Sequence, residues 1–149
     1  MTEKEAIGLI RAYSGSKKVI ESIHKEIEEY KRDIESLRQL TAVRYDGMPH
    51  GTGTSDPTAK AAAEIVDLYD KRIAELRERV QVILDNNRRV EEMLGTLSRD
   101  ERRVITARYI DGIRWDFIPG RVHISRMQCF RLKNKAMKKM CAISKDDTK

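Results

Sequence analysis

The most distinctive chemical pattern in the chain is an apolar stripe opposite a basic face in residues 125–140. The apolar residues recur at intervals of three and four, which predicts a helix with one buried side; they are Cys129, Leu132, Ala136 and Met140. The opposite face carries Arg126, Gln128, Arg131, Asn134, Lys135 and Lys138. Arg and Gln can bind guanine and adenine edges in the major groove through paired hydrogen bonds. The pattern therefore predicts a DNA-recognition helix.

The side chains of this face, together with neighbouring residues, fall into two groups: those expected to contact bases and those expected to contact phosphates. We expect base contacts from Arg126, Met127, Gln128 and Arg131. We expect phosphate contacts from Arg121, Ser125, Lys135 and Lys138. Met127 suits a thymine methyl group, and a partly buried packing role is its alternative. The other residues could instead be ordinary solvated side chains of a basic helix, and for Asn134 the two interpretations are evenly balanced.

The residues before Ser125 predict a partner helix. A short helix through residues 115–118 and a tight turn near residues 122–124 would complete a helix-turn-helix, in which Trp115 belongs to the core. Pro119 removes a backbone donor and Gly120 weakens a helix. His123 tolerates the left-handed backbone better than most residues, so the turn is expected to survive.

A further helix is predicted over residues 97–112. Ser98 and Glu101 have the spacing of a capping box, in which each side chain bonds the other's backbone N–H. Gly112 supplies a C-terminal stop. One apolar face is formed by Leu97, Val104, Ile105, Tyr109 and Ile110.

Residues 97–140 together resemble region 4, the C-terminal DNA-binding region of bacterial RNA polymerase sigma factors. The resemblance lies in residues 104–112, in the pair Trp115 and Ile118, and in Ile124-Ser125. Over residues 20–143 the chain looks more specifically like the phage and prophage ArpU/RinA-type regulators of late transcription, which add a helical N-terminal part and a loop similar to residues 48–58. The resemblance implies regulation at promoters, with RNA polymerase as a candidate partner.

The N-terminal half predicts two long helices. The first has a heptad seam at Ile20, Ile23, Ile27, Tyr30, Ile34 and Leu37. It is expected to span residues 16–43, after a shorter helix over residues 2–13 and a break at Ser14-Gly15. After a loop over residues 44–57, in which Ser55 or Asp56 caps the next helix, a second helix over residues 58–94 carries a similar seam that includes Asn87. Two such helices predict an antiparallel hairpin.

Charge is distributed unevenly along the chain. Residues 1–98 hold 16 basic and 18 acidic side chains, whereas residues 99–143 hold 12 basic and 4 acidic ones, a net charge of +8. A basic segment that coincides with a helix-turn-helix pattern indicates a DNA-binding face. We therefore expect a hairpin region over residues 1–95, a DNA-binding domain over residues 96–143 and a tail over residues 144–149.

Other classes of protein lack support in the sequence. His24, His50 and His123 have no ligand partners at metal-binding spacing, and no catalytic constellation is present, so we expect neither a metal, nor a cofactor, nor an enzyme. No apolar run reaches the ~18 residues that a membrane span needs. Cys129 and Cys141 are expected to be small apolar groups in a reducing cytoplasm.

The expected function is that of an all-α DNA-binding transcription regulator, with double-stranded DNA as its partner and a homodimer as a candidate assembly. Two alternatives belong to other classes. The first is a small subunit of a phage DNA-packaging terminase, although such proteins usually place their DNA-binding part first. The second is a protein-interaction adaptor whose helix-turn-helix, damaged at Pro119 and Gly120, no longer binds DNA.

Overall fold

The computed structural model describes residues 1–45 and 57–143, and every regular element in these ranges is helical, which confirms the all-α class. The helices are α1 (Glu3–Tyr45), α2 (Pro57–Gly95), α3 (Arg99–Ile105), α4 (Ile118–Val122) and α5 (Arg126–Ile143), with a π-helical segment, Thr106–Ile110, after α3. No helix in the described ranges is both long and apolar enough to cross a membrane. Nearly all of the predicted loop, with the capping residues Ser55 and Asp56, and the predicted tail lie outside the described residues.

The break predicted at Ser14-Gly15 is wrong, because α1 runs through it without interruption. A glycine costs a helix only about 1 kcal/mol, which is too little to end a helix of this length. The Ser14 hydroxyl donates to the carbonyl oxygen of Ile110 at 2.9 Å, and the Ser16 hydroxyl donates to that of Tyr13 at 2.8 Å. Ser14 therefore ties this stretch of the helix to the π-helical segment, while Ser16 bonds within its own helix, and neither serine ends it.

Residues Val19–Val82 form one of two compact units. Among its described residues, the buried side chains are Ile23, Ile27, Ile34, Ile73, Leu76 and Val80, and all six belong to the predicted seams. Glu26 lies 3.5 Å from Arg72, and the ring centroids of Tyr30 and Tyr69 are 5.1 Å apart. Within this unit, positions further along α1 thus meet positions earlier in α2.

The other compact unit combines Met1–Lys18 with Ile83–Lys149. Its larger core cluster draws on both long helices, α3, the π-helical segment and α5; the buried members are Ala6, Ile10, Val90, Met93, Leu97, Ile105, Tyr109, Ala136, Met137 and Met140. A smaller cluster contains Val104, Ala107, Ile118, Val122 and Cys129. The division expected at residue 95 therefore does not separate the compact units, since it passes through the larger core.

Asn87 takes part in a polar contact within this unit. Its side-chain amide donates to the hydroxyl of Ser16 at 3.0 Å, and Ser16 is 7% exposed. The Ser16 hydroxyl donates in turn to the carbonyl of Tyr13. The amide on the predicted seam thus has a polar partner that the heptad pattern alone did not predict.

The predicted capping box at the start of α3 is confirmed. The backbone N–H of Ser98 donates to the Glu101 carboxylate at 2.8 Å, and that of Glu101 donates to the Ser98 hydroxyl at 3.4 Å. The helical stretch ends at Ile110, and Gly112, two residues further on, has a φ of +72° in the left-handed region that glycine adopts without strain. The π-helical form of Thr106–Ile110, closed by a bond from the Asp111 N–H to the Thr106 carbonyl at 2.9 Å, was not predicted.

The position predicted for the next short helix is wrong, because α4 spans Ile118–Val122 rather than residues 115–118. Pro119 lies in its first turn, where a missing N–H breaks no helical bond, and it fixes the start of the helix. Gly120 is exposed, so it leaves no hole in the core. His123 ends α4 with φ +57° and ψ +42°, the left-handed conformation expected of it.

Candidate nucleic-acid interface

The start of α5 is fixed by Ser125 and by the left-handed His123. The backbone N–H of Gln128 donates to the Ser125 hydroxyl at 3.3 Å, and that of Cys129 donates to the Ser125 carbonyl at 2.9 Å. The first bond satisfies a donor that a helix start otherwise leaves open, and the second is the first regular bond of the helix. The hydroxyl of Ser125 accepts here, so its own O–H remains able to donate to a phosphate oxygen.

One face of α5 belongs to the protein core. Cys129, Ala136 and Met140 are fully buried, and Leu132 is partly buried, as the apolar stripe predicted. Burial raises the pKa of the Cys129 thiol, which keeps it neutral and suits a packing role. Because this side packs against both core clusters of the unit, the orientation of the opposite side is determined by the fold.

The opposite face of α5 is exposed and polar. At about 100° per residue, four side chains share its centre: Met127, Arg131, Asn134 and Lys138. Gln128 and Lys135 lie on one flank of this face, and Arg126 on the other. Met127 is 67% exposed, so its packing alternative does not hold. Arg131 and Met127 are thus the base-assigned residues nearest the middle of the face.

Several cations of the basic segment have neither an ion pair nor a side-chain hydrogen bond among the described residues. They are Arg99, Arg114, Arg121, Arg131 and Lys138. Lys133, by contrast, is paired with Glu3 of α1 and is largely buried. Arg121 and Lys138, both assigned to phosphates, therefore carry charges that a ligand could neutralise.

The buried carboxylate of Glu101, on α3, lies beside the flank of α5 that contains Lys135. Lys139 lies 2.7 Å and Lys135 3.8 Å from the Glu101 oxygens, and the Glu101 side chain is 1% exposed. Burial acts to raise the pKa of this carboxyl, but hydrogen bonds from Lys139 and Ser98 outweigh burial and leave the pKa below its ordinary value. Lys135 is thus shared between this carboxylate and solvent, unlike Lys138.

The other flank contains contacts that the sequence pattern did not reveal. The Trp115 ring stacks on Phe130 of α5, with centroids 4.8 Å apart, and the Arg108 guanidinium lies 5.7 Å from the Trp115 ring centre. Trp115 is therefore half-buried at the edge of the core rather than inside it. Next to it, the Asp116 carboxylate is 3.7 Å from Arg126. The sequence held one clue to these contacts: positions 126 and 130 are four residues apart, which places both side chains on the same flank of a helix.

The predicted recognition residues of α5 are thus all exposed, with Met127, Arg131 and Lys138 at the centre of the face and Gln128 and Arg126 on opposite flanks, and Arg121 is exposed on the helix before it. In the ranges that the structure describes, no group of three His, Cys, Asp or Glu side chains could hold a metal ion. Neither family models, nor curated proteins, nor solved structures yield a match to this chain.

Proposed function

We propose that the protein binds double-stranded DNA through the exposed face of α5. The observation that carries this proposal is the face itself: cations without partners flank Met127 and Gln128 on a helix whose other side is fixed in the core. A helix of this kind fits the major groove, where Arg and Gln can bind base edges. Its position is determined by packing, so base contact requires no refolding.

The elements before α5 support the same proposal. A short helix, a three-residue turn with a left-handed residue and a basic helix follow one another in the order expected of a helix-turn-helix. In such a motif the second helix enters the groove while the first crosses the backbone. In that arrangement Arg121 of α4 and Lys138 of α5 serve phosphates, and Arg131 serves a base. Arg126 and Gln128 serve the base pairs next to it.

Regulation of transcription is the biological role that we propose for this binding. It rests on the resemblance of residues 97–140 to sigma region 4 and of the longer segment to ArpU/RinA-type phage regulators. In this role the protein acts at phage or prophage promoters in the cytoplasm, together with RNA polymerase, and a homodimer would read two half-sites.

The adaptor alternative depended on a first helix damaged by Pro119 and Gly120. Since α4 forms with Pro119 in its first turn, that argument loses its basis. The terminase alternative gains no support from the described residues.

A salt titration of DNA binding tests the proposal. With about four to six phosphates neutralised, the slope of log K against log salt concentration should be about −4 to −5. Fluorescence anisotropy of a labelled duplex of random sequence, from low to moderate salt, measures this slope. A slope near zero, or no binding at low salt, would refute the proposal.

Two Lys→Ala variants make the test specific to the face. Lys138→Ala removes a cation from the proposed interface, whereas Lys31→Ala removes one from Val19–Val82, where Lys31 pairs with Glu28 at 3.0 Å. Only Lys138→Ala should reduce the slope, by about one. Equal effects of the two variants would show that the charge of the whole chain, rather than this face, governs binding.

A further inference from the structure

Resting on the proposed function, we propose that Asp116 is a positioning residue that aims the guanidinium of Arg126 at a guanine in the DNA site. Arg126 is the first residue of α5, and a residue at that place in a recognition helix faces base edges. The Nη2 atom of Arg126 lies 3.7 Å from the Asp116 Oδ1 atom. The two side chains are 66% and 57% exposed, so the pair lies at the surface and not in the core.

The backbone of Asp116 is fixed on both sides. The N–H of Phe117 donates to the carbonyl of Arg114 at 3.0 Å, which closes a turn around Asp116. The neighbouring Trp115 ring lies against Phe130 and the Arg108 guanidinium. Arg108 donates to the Ile113 carbonyl at 3.1 Å, so its position is also determined. The carboxylate thus extends from a hydrogen-bonded turn beside the first turn of α5.

The chemistry of the guanidinium explains what a carboxylate does at this place. Arginine has five N–H donors in a planar fork. When one N–H of Nη2 faces Asp116, its other N–H and the adjacent N–H of Nη1 still form a fork for the O6 and N7 atoms of guanine, which is the commonest specific contact of arginine in the major groove. The carboxylate also repels phosphates, so it disfavours backbone contact by the same guanidinium.

Stability of the fold is a poor explanation for this pair. An ion pair between exposed side chains contributes little to stability, because solvent screens it and both side chains lose freedom. Asp116 is also one of only four acidic residues among positions 99–143, where each negative charge weakens attraction to DNA. The Asp116 carboxylate thus contributes little to the stability of the fold and weakens the attraction to DNA. An increase in the specificity of Arg126 for one base would explain its presence.

The test is a selection of bound sequences from random duplex DNA, carried out with the full-length protein and with Asp116→Asn. The variant should lose guanine preference at one position by about tenfold. Its affinity for random-sequence DNA should rise by about two- to fivefold, since one repulsive charge is removed. Asp116→Glu, which keeps the charge, should retain most of the preference. Arg126→Ala should lose the preference at the same position.

Asp100→Asn is the matched control. Asp100 lies 3.8 Å from Arg103 of the same helix and is 57% exposed, so the pair has nearly the geometry of the Asp116–Arg126 pair. This variant changes the net charge equally and should raise random-sequence affinity without altering any base preference. Thermal melting of both variants should match the parent protein within about 2 °C, as expected for surface substitutions.

The outcomes separate the two proposals. Unchanged guanine preference in Asp116→Asn would overturn the role of Asp116 while leaving DNA binding intact. A shift at a position that Arg126→Ala does not affect would also overturn it. Absence of binding to any duplex at low salt by the parent protein would instead refute the proposed function, and the positioning role with it.

Discussion

The two compact units of this chain are built from the same kind of secondary structure but differ in charge. Val19–Val82 holds 10 basic and 13 acidic side chains, whereas the unit formed by Met1–Lys18 and Ile83–Lys149 holds 20 basic and 11 acidic ones. The net charges are therefore −3 and +9. Both units are helical, so it is the distribution of side chains and not the type of element that separates them.

The cores of the units differ as well. In Val19–Val82 a single seam between two helices is buried, and charged neighbours such as Arg72 with Glu75 and Lys31 with Glu28 pair along their own helices. In the other unit α5 is packed against several elements, and its exposed face carries cations whose charge no described residue compensates. A helix that is fixed on one side and uncompensated on the other is suited to bind a large anion.

The largest expected effect comes from removing a core side chain in each unit. Ile105→Ala and Ile27→Ala truncate residues that are 0% and 5% exposed, and each should lower the free energy of unfolding by about 2–5 kcal/mol. Urea denaturation measures the loss. DNA binding should weaken in Ile105→Ala, whose site supports α5, and should persist in Ile27→Ala.

Comparable loss of DNA binding in both variants, at a temperature where Ile27→Ala is still folded, would contradict the functional separation of the units.

The next effect concerns Glu101, which joins α3 to α5. Because its pKa is lowered in the folded protein, its charge stabilises the fold above the ordinary carboxyl pKa of about 4.3, and that contribution is lost as pH falls through the lower folded value. Glu101→Gln should therefore cost about 1–3 kcal/mol at pH 7, and the difference from the parent should shrink below pH 4. Melting curves across this range measure it.

An exposed carboxylate provides the control for this pH dependence. Glu92→Gln on α2 should change the unfolding free energy by less than about 0.5 kcal/mol. If Glu101→Gln were equally harmless at pH 7, the contact with Lys139 would contribute nothing to stability.

The buried faces could be predicted from the sequence because periodicity reports burial directly. The stripe through Cys129, the capping box at Ser98 and the left-handed His123 all follow from local rules. The continuity of α1 past Gly15 could not be predicted, since it depends on distant partners such as the Ile110 carbonyl. For the same reason, the neighbours of the site were missed: Asp116 meets Arg126 only after α4 and its turn have folded.

The exposed face of α5 can be tested by two substitutions that are seven residues apart, about 10 Å along the helix. Arg131→Ala should cost roughly 1–3 kcal/mol at the preferred DNA site and relax the choice of one base. Lys138→Ala should weaken binding to all sequences about equally. Anisotropy titrations on the selected site and on random duplexes distinguish the two. Uniform losses in both variants would mean that the division into base and phosphate contacts is wrong.

The smallest effect concerns the hydrogen bond between Asn87 and Ser16, which lies far from the proposed interface in sequence. The heptad pattern alone predicts that Asn87→Leu raises the melting temperature. The structure predicts otherwise, because the substitution removes a donor to a hydroxyl that is almost fully buried. Asn87→Leu, Ser16→Ala and the double variant form a mutant cycle whose coupling energy should be about 0.5–1.5 kcal/mol. Thermal and urea unfolding measure the coupling, while DNA affinity should remain unchanged in all three variants. A coupling energy of zero would show that Asn87 bonds water as well as it bonds Ser16. A stabilised Asn87→Leu protein would show that an apolar side chain on the seam contributes more to stability than the hydrogen bond to Ser16.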